Sequence, residues 1–138
     1  MANAPFVDGS NVGTVSFEVS GVVTTTSMNK LQVIGGEILI EDCILETGTS
    51  IAAGTGTLFE VRKTDTTYGV ALILSHAISA LTANVTFDMT TATTKNRSVC
   101  KPGTYIAIGT TGANSSAGTA RITIKYRKLQ ENSKVQVV

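Results

Sequence analysis

The 138-residue sequence predicts an all-β protein: a single-domain β-sandwich or jelly roll of about eight mostly antiparallel strands with flexible terminal arms. Three observations carry this expectation. Thr, a β-branched residue suited to the solvent faces of strands, occurs 22 times. Apolar and polar residues alternate with period two in one segment after another. The clearest case sets Ala120, Ile122, Ile124 and Tyr126 against Arg121, Thr123, Lys125 and Arg127. Short turn-like stretches rich in Gly, Thr and Ser separate these segments at fairly even spacing. A hydrophobic content of 42% with 15% charged residues describes a folded chain rather than a disordered one.

The elements follow in order. Residues 1–11 lack periodicity and read as an N-terminal arm, 12–129 as the core, and 130–138 as a C-terminal tail of one domain spanning 1–138. "GTVSFEVSGVV" sets Val15, Phe17 and Val19 against Ser16, Glu18 and Ser20. "TTTSMNK" interrupts the pattern, "LQVI" resumes it, and Gly35-Gly36 supplies a hairpin turn or a bulge. In "EILIEDCILE" the adjacent Glu41 and Asp42 predict a bulged or bent strand. "TLFEVRK" sets Phe59 and Val61 against Glu60 and Arg62. "VALIL", apolar on both faces, predicts a central, doubly covered strand. "SHAISAL" is the one helical turn expected, with Ser75 as its N-cap. "TANVTFDMT" alternates through Val85, Phe87 and Met89, and a polar loop leads to the strands "TYIAIG" and "TARITIKYRKL". There is no strand–helix alternation of a doubly wound fold and no long repeat of a solenoid.

Charge is split along the chain. Residues 1–94 hold three bases and nine acids, net −6; residues 95–138 hold eight bases and one acid, net +7. Early and late strands that lie side by side pair such charges within one molecule. Alternatively, two oppositely charged surfaces meet between subunits. The opening stretch "MANAPFVDGS" has neither a basic n-region nor an apolar h-region, so synthesis in a reducing cytoplasm is expected. Cys43 and Cys100 then read as free, buried thiols. The glycosylation-type triplets at Asn84, Asn96 and Asn114 carry no meaning in that compartment.

Reactive chemistry finds little support. The single His76 and two Cys 57 positions apart lack metal-ligand spacing, so neither metal nor cofactor is expected. No Ser sits in a G-x-S-x-G elbow, "GTGT" at 54–57 lacks the Lys of a phosphate loop, and nothing marks two of the ten acids as a glycosidase pair. Arg121, Lys125 and Arg127 share a strand face, but Tyr126 points the other way, which argues against a nucleic-acid stacking platform. The apolar runs are too short to span a bilayer. We therefore expect no enzyme, no nucleic-acid partner and no membrane partner.

Three stretches carry a family resemblance: "GTVSFEVSGVV", "TGTSIAAGTGTLFEV" and "TGANSSAGTARITIKYRKL". In texture, over about residues 12–129, the chain resembles small all-β virion proteins of tailed bacteriophages, most like head decoration (cement) proteins. The resemblance implies a homotrimer on the outer capsid surface of the virion, assembled in the host cytoplasm. There it would bind the phage major capsid protein and help the shell resist the pressure of packaged DNA. A tail or head-fibre component with a host-binding role shares this texture, and a cellular carbohydrate-binding β-sandwich is the third reading. The candidate interface residues are Phe6 and Val7 in the arm, Val135, Val137 and Val138 in the tail, and the exposed row Arg121, Lys125 and Arg127.

Overall fold

The computed structural model describes residues 11–53, 57–65, 69–89, 94–95 and 98–138. The strands among them, in chain order, are β1 (Val12–Gly21), β2 (Met28–Ile34), β3 (Ile38–Thr49), β4 (Leu58–Asp65), β5 (Gly69–Ala77), β6 (Thr86–Phe87), β7 (Thr94–Lys95), β8 (Val99–Cys100), β9 (Tyr105–Thr111), β10 (Gly118–Lys128) and β11 (Lys134–Val137). The first sheet runs β1-β10-β3-β6, with β8 also paired to β3; the second runs β11-β2-β9-β4-β5-β7. Every pairing is antiparallel. The two sheets close on one core, so the β-sandwich class is what the structure shows.

Alternation explains how the core fills. Phe17 and Val19 of β1, Ile122 and Ile124 of β10, and Ile38, Ile40, Cys43 and Leu45 of β3 turn inward from the first sheet. Leu31, Val33, Phe59, Val61, Ile106 and Ile108 meet them from the second. The inward set on β3 changes parity between Ile40 and Cys43, and the ladder shows why. Lys125 pairs with Asp42 and Tyr126 with Ile40, so Glu41 is the extra residue of a β-bulge. The expected bulge at Glu41-Asp42 is present.

Several elements differ from expectation. Among the described residues "VALIL" is not a central strand, because β5 is followed outward only by the two-residue β7. Its double-sided apolar look comes from a bulge: Val61 pairs with Leu74 and Arg62 with Leu72, leaving Ile73 extra, so Ile73 and Leu74 are both fully buried. The interior strand buried on both faces is β9, from Ile106 to Thr110. The expected helical turn shrinks to one 3-10 turn, Ile78–Ala80. Ser75 lies inside β5, and no side chain caps the turn. Gly35-Gly36 makes no hairpin; the chain there crosses from β2 in the second sheet to β3 in the first. Gly35 has φ +78°, and a Cβ on it would run into the Asn132 carbonyl, so the crossing fits closely under the 130–133 turn.

The largest correction concerns the chain's end. Residues 130–138, expected as a tail, contain β11, which pairs with β2 from Lys134↔Ile34 to Val137↔Leu31. Val135 enters the core. The Ser133 hydroxyl donates to the Glu37 carbonyl at 2.6 Å. The alternation Lys134, Val135, Gln136, Val137 was present in sequence but spans too few residues to stand out from a frayed end.

Candidate interaction surface

The outer face of β1, β10 and β3 is the most organised exposed surface among the described residues. Strand register sets its rows. Glu18, Arg121 and Glu46 lie side by side across three strands, and Ser16, Thr123 and Ile44 form the next row. Beyond these come Thr14, Lys125 and Asp42, then Val12 and Arg127 beside the bulged Glu41. The acidic early strands β1 and β3 thus flank the basic late strand β10, which places opposite charges at cross-strand distance.

Contacts follow from that placement. Arg121 Nε donates to Glu18 Oε1 at 2.8 Å, and Arg127 Nε donates to Glu41 Oε1 at 2.8 Å. The hydrogen bond that Arg121 donates to Glu18, with the charges of Glu18 and Glu46, holds the Arg121 guanidinium even more firmly protonated than usual. Ser16 and Thr123 share a hydroxyl–hydroxyl bond of 2.9 Å, and Thr49 and Thr119 share one of 3.1 Å. The Asp42 carboxylate accepts from the backbone N–H of Cys43 at 2.8 Å and of Met89 at 3.3 Å. A shallow open depression of about 230 Å³ lies over Glu18, Glu46, Thr47, Gly48, Thr119, Ala120 and Arg121. It is polar and open, suited to a broad contact rather than to enclosing a small ligand.

The predicted interface residues therefore separate. Arg121, Lys125 and Arg127 are exposed on this face, opposite the buried Ala120, Ile122, Ile124 and Tyr126. Arg121 and Arg127 find acidic partners inside the same chain, the within-molecule pairing expected of early and late strands lying side by side. Val135 is interior, whereas Val137 and Val138 are exposed. Phe6 and Val7 lie outside the described residues.

A second polar cluster was missed in sequence. Glu60 and Arg62 share the outer face of β4, as their alternation indicated, yet neither is a solvated surface charge. Their side chains are 14% and 11% exposed and meet at 2.7 Å. Arg62 Nη1 also donates to the Thr25 carbonyl at 3.2 Å and to Ser27 Oγ at 3.0 Å, while Nη2 donates to the Thr110 carbonyl at 3.0 Å. The guanidinium lies over Gly109, where any Cβ would collide with it. These contacts tie the 22–27 connection to β4 and β9, a structural use of the charge. Only the missing side chain at Gly109 hinted at it, and that clue requires the β4–β9 register (Glu60↔Gly109).

The remaining reactive side chains are interior. His76 lies against Phe87 with ring centroids 3.8 Å apart and the ring planes tilted by 45°. Cys43 and Cys100 are free and buried. Burial, with the Asp42 charge adding to it, pushes the Cys43 thiol up to about 12. Burial pushes Cys100 up to about 11 against a smaller opposing effect of Lys63. Among the described residues no three His, Cys, Asp or Glu side chains group as metal ligands, and no helix is long and apolar enough to cross a membrane.

No protein-family model matches the sequence. No curated protein matches it either. Among solved structures, the chain is similar to one from work described as "Bacillus endospore appendages form a novel family of disulfide-linked pili". The two are 12% identical with a TM-score of 0.39, over 86% of this chain and 89% of that one. Likeness at this level carries no argument about binding or assembly.

Proposed function

We propose that this protein is a non-enzymatic structural component of a tailed-bacteriophage virion, a decoration protein that binds the outer surface of the capsid. The observation that carries the reading is the exposed outer face of β1, β10 and β3. It combines mixed charge, Ser and Thr hydroxyls and a ten-residue edge strand in one open surface. Such a surface suits docking on another protein by many modest contacts, which repetition around a closed oligomer turns into avidity. In this reading the partners are the major capsid protein and further copies of the chain, arranged as a homotrimer, and no cofactor takes part.

The test is to mix purified protein with capsids assembled from the major capsid protein of the same genome. Sedimentation and electron microscopy should show saturable decoration of the shell, and light scattering should give the mass of a trimer or of a multiple of it for the free protein. Absence of decoration, together with saturable binding to host cells or glycans, would replace this reading with the fibre one.

A further inference from the structure

β1 is the edge of the first sheet, and its hydrogen-bonding phase is set by its contact with β10. Lys128 N donates to the Asn11 carbonyl, and the ladder continues unbroken through Val12↔Arg127 to Gly21↔Gly118. In an antiparallel pair, backbone groups face the partner strand at every second residue. Asn11, Gly13, Val15, Phe17 and Val19 therefore face β10. The N–H and C=O groups of Val12, Thr14, Ser16, Glu18 and Ser20 point out of the sheet, and no described residue hydrogen-bonds to them.

This edge lacks the usual guards. It has no Pro, no Lys, no bulge and no inward-pointing charge. Its single charge, Glu18, is already engaged by Arg121. Among the described residues the strands that end the other edges are short: β11 has four residues and carries Lys134, while β6, β7 and β8, which cover β3 and β5 only in part, have two each. Along the same side of the sandwich, where β1 meets β11, apolar side chains stand in solvent: Val12 is 53% exposed, Val137 62% and Val138 58%.

We propose that β1 pairs antiparallel with β1 of a second copy across a two-fold axis, joining two first sheets into one. Only one register satisfies all ten outward groups at once. It places Ser16 opposite Ser16 of the second copy, Thr14 opposite Glu18, and Val12 opposite Ser20. The same register keeps the two Glu18 carboxylates apart. On the inner face it sets Phe17 beside Val15 of the second copy, twice by symmetry, an aromatic–β-branched pair. Because the seam presents one patch to itself, it closes as a dimer contact and does not propagate. It is separate from the three-fold contact proposed above, and the two coexist as a trimer dimerising through its edges.

The register makes the test sharp. Ser16→Cys places two sulfurs on residues with Cα atoms about 5.5 Å apart, inside the disulfide range of about 4.4–6.8 Å. Thr14→Cys leaves its equivalents roughly 14 Å apart. With oxidised glutathione, the Ser16→Cys protein should form a covalent dimer and the Thr14→Cys protein should not. Ser16→Lys sets like charges face to face and should raise the dimer dissociation constant at least about tenfold by sedimentation, with an unchanged melting curve at concentrations too low for the parent seam to form. The native thiols do not compete, since both are buried. A full-length protein that is strictly monomeric across micromolar concentrations overturns the seam. So does a Ser16→Cys protein that crosslinks no better than Thr14→Cys, or a Ser16→Lys protein that associates normally. A trimer without the crosslink removes the seam alone, and a crosslinked dimer that ignores capsids removes only the decoration reading.

Discussion

At the scale of single residues, the charges that matter most for stability are the ones hidden from solvent. Arg62 neutralises Glu60 and bonds three further acceptors in a nearly closed site. Removing one partner of a buried pair strands the other, which costs far more than the pair contributes. Arg62→Met should lower unfolding free energy by about 3 kcal/mol. Arg62→Lys should recover little of that, because a point charge cannot replace the guanidinium's fork. Chemical denaturation of the two variants checks this. The thiols give a pH signature. Their folded pKa values, about 12 for Cys43 and about 11 for Cys100, lie above the ordinary 9.0. The folded state thus holds protons that the unfolded state releases, so their contribution is complete below pH 9 and lost as pH rises toward 11 and 12. The melting temperature should fall over that window, and the Cys43→Ala/Cys100→Ala protein should show a shallower fall. Labelling of either native thiol at neutral pH should be slow until the protein unfolds.

At the scale of elements, β11 changes what truncation will do. Its pairing with β2, the burial of Val135 and the Ser133 bond to Glu37 make the last nine residues part of the sandwich. Stopping the chain at Leu129 should cost roughly 2–4 kcal/mol, measured by urea unfolding against the full chain. A purely passive tail would leave the midpoint unchanged. Most strands with at least five alternating residues are legible in sequence, because period two is a local property of the chain; the alternation of "TANVTFDMT" is the exception and yields only the two-residue β6. β10 and the bulge of β3 were read at the right residues for that reason. β7 and β8, two residues each, and β11 owe their existence to a neighbouring ladder, and no local pattern announces such a strand. The error over "VALIL" has the same root: an apolar run looks alike whether two layers cover it or a bulge turns both Ile73 and Leu74 inward. The exposed face of β10 was visible in sequence, while the partners of its arginines depended on which strands flank it.

At the scale of the whole molecule, topology brings part of the charge split along the chain together. A basic late strand inserted between two acidic early ones sets Arg121, Lys125 and Arg127 in neighbouring rows with Glu18, Glu41, Asp42 and Glu46 on one face. This arrangement predicts how salt acts. Replacing Arg121, Lys125 and Arg127 together by Gln takes the net charge from +1 to −2 and leaves Glu18, Glu41, Asp42 and Glu46 facing one another without basic neighbours. Exposed pairs are individually worth about 0–1 kcal/mol, so the loss at physiological salt should stay small. At low ionic strength the repulsion among the four carboxylates is unscreened, and the variant should unfold at distinctly lower temperature than the parent. Near 1 M salt, where the screening length falls to about 3 Å, the two melting curves should converge. If β10 instead held its charge for a neighbouring subunit, the monomer's melting would be indifferent to salt in both proteins. The difference would then appear in the association rate, which electrostatic steering governs. Melting and association measured on the same salt series separate a charge pattern that is satisfied within one sandwich from one that two sandwiches share.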